Sequence, residues 1–273
     1  MKKVSLMYRR VIPEARRVVI KIGSRVLVQK TGRPDVRRMR SLVADIAAIR
    51  EAGHEVVIVT SGAVGAGMEA LGMKQRPQKL PELQMAAAVG QTRLMARYAD
   101  LFGKKGLLVG QVLLTHDDFQ HKTRLTNARR TMDSLIRHNV IPVINENDVV
   151  ADEEIKADLK LGDNDNLASL VVKLIRADVL ILLTTVDGLR EPGSAGRTRR
   201  VKYLESVTRK TYALVKDKES GLSTGGMATK LKAAATVSAA GCCAVIANGR
   251  KDGVLGSIMA GEDTGTLVVA SAI

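Results

Sequence analysis

Several short stretches of the chain combine residue types that can handle an anion. Lys21-Ile22-Gly23-Ser24 closes the apolar run Val18-Val19-Ile20. A lysine in such a strand is costly to bury unless an anion meets it. The Gly-Ser that follows offers backbone N–H groups and a hydroxyl, which suit phosphate. The alternative is an edge-strand lysine whose ammonium snorkels to water. Thr60-Ser61-Gly62-Ala63 is a second strand running into small residues and a helix start. Small residues there let backbone amides approach a carboxylate or phosphate. The spacing Gly62-x-x-Gly65-x-Gly67 is not the dinucleotide fingerprint G-x-G-x-x-G, and no acidic residue closes the next strand where that fold needs one.

Polar residues cluster twice more between apolar segments, at Asn145-Glu146-Asn147-Asp148 and at Gly162-Asp163-Asn164-Asp165-Asn166. Asp163 or Asn164 could cap a helix running from Leu167, but one cap does not account for two clusters. Asp163-x-Asp165 is spaced like the start of a calcium loop, yet the glycine and terminal glutamate of such a loop are missing. Thr224-Gly225-Gly226-Met227-Ala228-Thr229-Lys230 is a glycine turn opening a helix, with a lysine one turn in. Backbone amides and a helix N-terminus would cradle phosphate there while the lysine neutralises it, although the spacing is not that of a Walker A motif. His54, His116, His121 and His138 form no metal-binding pattern and no G-x-S-x-G elbow occurs, which argues against triad hydrolysis and structural zinc.

The elements that must position these residues alternate along the chain. Apolar strand runs are predicted at Val18–Ile22, Val56–Thr60, Leu107–Leu114, Val140–Ile144, Val179–Leu183 and Ala244–Ala247. Helical periodicity lies between them: from Pro34 to Gly53, after Pro81 (Leu83, Met85, Ala86, Val89, Leu94), and at Leu125–His138, Asn166–Arg176 and Ala228–Ala239. Strands apolar on both faces and separated by helices predict a mostly parallel sheet inside a three-layer α/β/α sandwich. Right-handed crossovers bring the strand C-termini to one edge, where ligands bind in such sheets. The anion-suited motifs all follow predicted strands or open predicted helices. The loop Arg190–Gly196 reads as a turn-rich surface segment.

The 273 residues carry 43 Lys+Arg against 28 Asp+Glu, a formal charge of +15. That surplus would attract a polyphosphate. Aromatic residues make up only 2%, however, which deprives a single-strand nucleic-acid binder of stacking rings. A solvated basic surface is the expectation, with no specific nucleic-acid partner. No apolar run approaches the roughly 18 residues that span a bilayer, so no membrane is expected, and the basic N-terminus lacks the unbroken apolar stretch of a signal peptide. Cys242 and Cys243 are adjacent and would point to opposite faces of a strand. They make neither a disulfide framework nor a metal site, which suits a reducing cytoplasm.

Taken in order, VVIKIGS (Val18–Ser24), VIVTSGAVGAG (Val57–Gly67), AAAVGQTRL (Ala86–Leu94), PVINENDVV (Pro142–Val150), GDNDNLAS (Gly162–Ser169) and TGGMATK (Thr224–Lys230) resemble the amino acid kinase family over nearly the whole chain. The resemblance implies that family's fold and transfer of the γ-phosphoryl of ATP, with Mg²⁺, to an acceptor carboxylate. NEND followed by GDNDN points to the side chain of L-glutamate, the first step of proline biosynthesis, rather than to aspartate, acetylglutamate, carbamate or a nucleoside monophosphate. It further implies Lys21 on the ATP phosphates and the transferring group, Lys230 on the leaving side, and Asp165 holding both ammonium groups. Ser61, Asp148 and Asn164 are implied as glutamate ligands, and Thr184, Thr185 and the run Thr224, Gly225, Gly226, Met227, Ala228, Thr229 and Lys230 as nucleotide ligands. No direct protein ligand to a metal is evident. One domain over 1–273 is expected, with an acceptor lobe at about 17–176, a nucleotide lobe at about 177–273 and no C-terminal PUA module. A homodimer or homotetramer and inhibition by proline are family traits. Thr185 stands where many members carry an acidic residue, and Ala157–Leu161 is longer than in the common bacterial form.

Overall fold

The apolar run around Val18 is a strand at the centre of the sheet, where its two-sided hydrophobicity can be satisfied. In the computed structural model, which describes residues 7–29, 34–150, 164–193, 197–215 and 226–271, β1 (Arg17–Ile22) lies between β2 (Glu55–Val59) and β5 (Val179–Thr184). Beyond β2 come β4 (Val140–Glu146) and β3 (Leu108–Leu114). Beyond β5 come β9 (Cys243–Asn248), β10 (Thr266–Val268) and β8 (Tyr203–Leu204). All pairs in this eight-stranded sheet are parallel except β9–β10. The predicted surface loop after Arg190 instead folds back as a small hairpin of β6 (Arg190–Pro192) and β7 (Thr198–Arg200); residues 194–196 lie outside the described residues.

Helices cover both faces, as predicted. Alternation along β1 sends Val18, Ile20 and Ile22 to one face, under α1 (Val36–Glu51), α3 (Leu80–Gly103) and α7 (Val254–Met259). Val19 faces the other way, under α4 (Lys122–Arg137), α5 (Asn164–Ile175) and α6 (Met227–Ser238). Cys243 packs in the first layer and Cys242 in the second, so the adjacent thiols do point apart, both buried and unpaired. Burial pushes the Cys243 thiol up to about 12 and that of Cys242 higher still. Asp35 opens α1 by accepting a hydrogen bond from the Arg38 N–H at 2.9 Å.

Two local expectations differ from the structure. Met85, placed on the apolar stripe of α3, is 44% exposed. The start of that helix buries Ala86, Ala87 and Gly90 instead, because it crosses α2 (Ala63–Ala70) with backbone against backbone. A Cβ on Gly90 would sit 1.7 Å from the Ala63 carbonyl oxygen, and one on Gly67 would sit 1.7 Å from that of Ala86. The helix expected from Leu167 begins at Asn164, so Asn164 belongs to its first turn and is not its cap; Gly162 and Asp163 lie outside the described residues, as does 157–161.

The surplus of cations is mostly solvated: Arg37 and Arg40 of α1 and Arg124, Arg129, Arg130 and Arg137 of α4 are exposed. Arg9 is an exception. It is fully buried and donates to the carbonyls of Thr264, Lys202 and Gly265 at 2.8–3.0 Å, with the Asp263 carboxylate 3.8 Å away. Burial pulls its guanidinium down to about 10 against that opposing charge.

Candidate functional site

The chain steps from β1 to β2 on one side and later lays β5 and β9 on the other, so the topology switches at β1. A crevice opens at the C-terminal ends of strands at such a point. Lys21 is the penultimate residue of β1 and lies on the same face as Val19, the face covered by α5 and α6. Asp165 is in the first turn of α5, and Lys230 lies one turn into α6. The three converge: Lys21 Nζ is 2.7 Å from Asp165 Oδ1, and Lys230 Nζ is 2.9 Å from Asp165 Oδ2. Thr229 Oγ1 donates to the same Oδ2 at 2.8 Å. The side chains of Lys21 and Lys230 are 6% exposed and that of Asp165 is fully buried.

Lys21 is therefore not an edge lysine reaching for water; its strand is central and a carboxylate meets it. Burial by itself would raise the Asp165 carboxyl, but the charges of Lys21 and Lys230 outweigh it and hold the group well below the usual carboxylate range. Two buried cations on one anion leave the cluster net positive, which suits a phosphoryl group. Thr184 ends β5 and Thr185 follows it, both half-buried beside the end of β1. The Gly226 carbonyl accepts from Lys230 Nζ at 3.4 Å and lies 3.0 Å from Thr229 Oγ1, where it competes with Asp165 for the hydroxyl proton, tying the glycine turn to the lysine. Met227 and Ala228 are half-buried in the first turn of α6; Thr224 and Gly225 lie outside the described residues.

A second, neutral cluster lies beside the ionic one. Asn164 Nδ2 donates to Ser61 Oγ at 2.9 Å and to Asn145 Oδ1 at 3.1 Å. Ser61 sits in the turn between β2 and α2, where Gly62 takes φ 106°, a left-handed conformation that favours glycine. Asn164 Oδ1 is buried without a hydrogen-bond partner among the described residues. Asp148, half-buried two residues beyond β4, is the charge that acts on the exposed Arg76 guanidinium. The sequence marks Asn145 only as part of a polar cluster. Its signal was the two-residue period of β4, which puts it on the face of buried Ile141 and Val143 and leaves an amide where water cannot satisfy it.

Among the described residues, no three His, Cys, Asp or Glu side chains gather in a way that could hold a metal ion. The Asp165 carboxylate is engaged by two lysines, so this donor set does not by itself form a magnesium site. No helix among the described residues is long and apolar enough to cross a membrane.

The amino acid kinase family's sequence model matches residues 16–248. The chain is 42% identical to a glutamate 5-kinase of Pelobacter propionicus over 96% of its own length and 69% of the relative's. For the glutamate 5-kinase of Moorella thermoacetica the figures are 45%, 94% and 67%, and for that of Lactiplantibacillus plantarum 41%, 93% and 97%. Among solved structures, carbamate kinase from Giardia lamblia bound to AMP-PNP superposes with a TM-score of 0.65 at 18% identity, covering 95% of this chain and 100% of that one. UMP kinase from Bacillus anthracis gives 0.60 at 17%, covering 94% and 97%. At those identities the structures establish the shared fold. The sequence model and the relatives establish the lineage: the chain belongs to the amino acid kinase family.

Proposed function

We propose that the chain transfers the γ-phosphoryl group of ATP to the side-chain carboxylate of L-glutamate, giving L-glutamyl 5-phosphate. The observation that carries this reading is the buried Lys21–Asp165–Lys230 cluster at the switch point, in a chain whose relatives at 41–45% identity are glutamate 5-kinases. A carboxylate acceptor is already ionised at neutral pH, so the reaction needs no general base. It needs two repelling anions held in line and the charge of the transferring group neutralised. Three of the four histidines are engaged elsewhere, His54 with the Ala15 carbonyl, His121 with the Asp117 carboxylate and His138 with the Ser134 carbonyl.

In this reading Lys21 contacts the ATP phosphates and the transferring group, and Lys230 the leaving β,γ side. Asp165 holds the two ammonium groups apart from each other and aimed at the same space. Thr184, Thr185 and the turn from Thr224 to Lys230 line the nucleotide. Ser61, Asn164 and Asp148 bind glutamate, the carboxylate of Asp148 facing its α-ammonium. Mg²⁺ enters with ATP as the partner of its phosphates. Residues 17–176 then form the acceptor lobe and 177–273 the nucleotide lobe of one continuous sheet.

The test is ADP release with L-glutamate, L-aspartate or no acceptor, with hydroxylamine present to trap the acyl phosphate. Glutamate-dependent ADP and hydroxamate are expected. Turnover with aspartate in place of glutamate, or none with either, would overturn the reading.

A further inference from the structure

The motif AAAVGQTRL contains a polar side chain with no part in the chemistry above. Gln91 lies on α3, one residue beyond Gly90, whose close contact with the Ala63 carbonyl fixes that helix against α2. Its Oε1 accepts from Asn145 Nδ2 at 2.9 Å, and its Nε2 donates to Gln111 Oε1 on the edge strand β3 at 3.3 Å. The donations thus run in one direction from Asn164 through Asn145 and Gln91 to Gln111, and Asn164 also donates to Ser61.

Direction matters because an amide has a donor end and an acceptor end. We propose that Gln91 is a positioning residue that sets the polarity of the glutamate site: by accepting from Asn145 Nδ2 it turns Asn145 Oδ1 toward Asn164 Nδ2, and so leaves the buried Asn164 Oδ1 to accept from the substrate's α-ammonium. With Gln91 reversed, Asn145 would offer N–H groups to Asn164, Asn164 would turn in response, and donors would face the ammonium. The geometry supports this order at both ends. Both N–H groups of Asn164 are committed, to Ser61 Oγ and Asn145 Oδ1, while its Oδ1 has no partner among the described residues. Asn145 is 2% and Asn164 4% exposed, so water is poorly placed to substitute for a lost partner. The proposal rests on glutamate being the acceptor.

The test compares Gln91→Glu, Gln91→Leu and Gln91→Lys with the wild type in the glutamate assay. Glu keeps the acceptor, Leu removes it and Lys supplies only donors. The KM for L-glutamate should stay within about twofold in Gln91→Glu and rise about tenfold or more in Gln91→Leu and Gln91→Lys, the effect of one hydrogen bond to a charged group. The kcat and the KM for ATP should change little. Inhibition by glutarate, which lacks the ammonium, should be the same in the wild type and Gln91→Leu. An equal rise in Gln91→Glu and Gln91→Leu, equal weakening of glutarate, or an unchanged KM in Gln91→Leu would overturn the relay while leaving the acceptor reading in place. If Gln91→Lys does not fold, the Glu and Leu variants decide. A wild-type chain that does not phosphorylate glutamate would overturn both.

Discussion

Asn164 and Asp165 are consecutive residues of one helical turn, yet they serve two centres built on different physics. Asp165 reaches toward β1 and α6 and binds two ammonium groups; Asn164 reaches toward β2 and β4 and joins a chain of neutral amides. In the ionic centre the strength comes from charge, which acts over distance and tolerates small errors of angle. In the amide centre it comes from direction, which gives nothing unless each donor meets an acceptor. The difference suits the two ligands proposed for them. A transferring phosphoryl group needs cations near its oxygens, whereas an amino acid must be told apart from other dicarboxylates by where its ammonium lies.

The sharpest way to break that contrast is to remove the shared anion of the ionic centre. Asp165→Ala leaves two buried ammonium groups facing one another, and breaking a buried pair costs about 3–5 kcal/mol. Phosphoryl transfer should fall at least ~10³-fold, more than the ~10²–10³ lost with one positioned donor, because both lysines lose their anchor. Asp165→Asn tests the charge separately from the shape. The folded carboxyl is held below its ordinary value of 3.8, so its stabilisation is fully present above that value and is lost as pH falls through the lower, folded one. The difference in melting temperature between wild type and Asp165→Asn should therefore be flat from about pH 5 to 8 and shrink below about pH 4. A difference that persists unchanged into acid would mean that geometry, and not charge, anchors the lysines.

The amide centre is expected to fail differently, through the backbone that supports it. In Gly90→Ala the new methyl would lie 1.7 Å from the Ala63 carbonyl oxygen and 2.4 Å from the Gly67 nitrogen. Neither is the end of a flexible side chain, so α2 and α3 must separate, at a cost of about 1–3 kcal/mol. Ser61 lies two residues before Ala63 and Gln91 directly after Gly90, so the KM for glutamate should rise while the KM for ATP stays near its wild-type value. Chemical denaturation and steady-state kinetics on the same preparation check both parts. Parallel increases in the two KM values would mean that the centres are not separable.

The ionic centre is legible in the sequence because its members break local rules. Lys21 interrupts an apolar strand, and Lys230 follows a glycine turn. The central strands and covering helices were equally readable, since strands buried on both faces are apolar throughout. The amide relay was not readable. Asn145 and Gln91 are polar residues near ends and on helices, where polar residues are ordinary, and their meaning lies in contacts between positions 54 residues apart. The crossing of α2 and α3 was similarly hidden: Ala86, Ala87 and Gly90 are weak signals in a hydrophobic period, and Met85 was a stronger one pointing the wrong way. Short β8 and β10 carry too few residues for any period to register, and their pairing is made by partners far along the chain.

The smallest expected effect lies beneath the amide centre, at a neutral hydrogen bond. The Tyr98 hydroxyl is 2.8 Å from Thr60 Oγ1, and both residues are buried beside Ser61. Tyr98→Phe removes one neutral hydrogen bond, worth about 1 kcal/mol. Thr60 Oγ1 keeps a contact to the Ser61 carbonyl at 3.3 Å, so the KM for glutamate should move less than about twofold. Burial pushes the Tyr98 phenol up to about 12 from its ordinary 10.0, with the Thr60 hydrogen bond opposing. A raised phenol is neutral in the folded chain while the unfolded chain ionises, so its stabilisation is present below pH 10 and is lost as pH rises toward 12. The wild type should therefore be the more stable protein at neutral pH, and its advantage over Tyr98→Phe should close and then reverse above about pH 10. Cys242 and Cys243, also held neutral by burial, contribute to the alkaline loss of both proteins and cancel in the difference. Thermal melts at about pH 7, 9 and 10.5 separate these outcomes. An advantage that instead grows with pH would show a Tyr98 ionised in the folded chain, and a charge directly beneath the neutral amide centre.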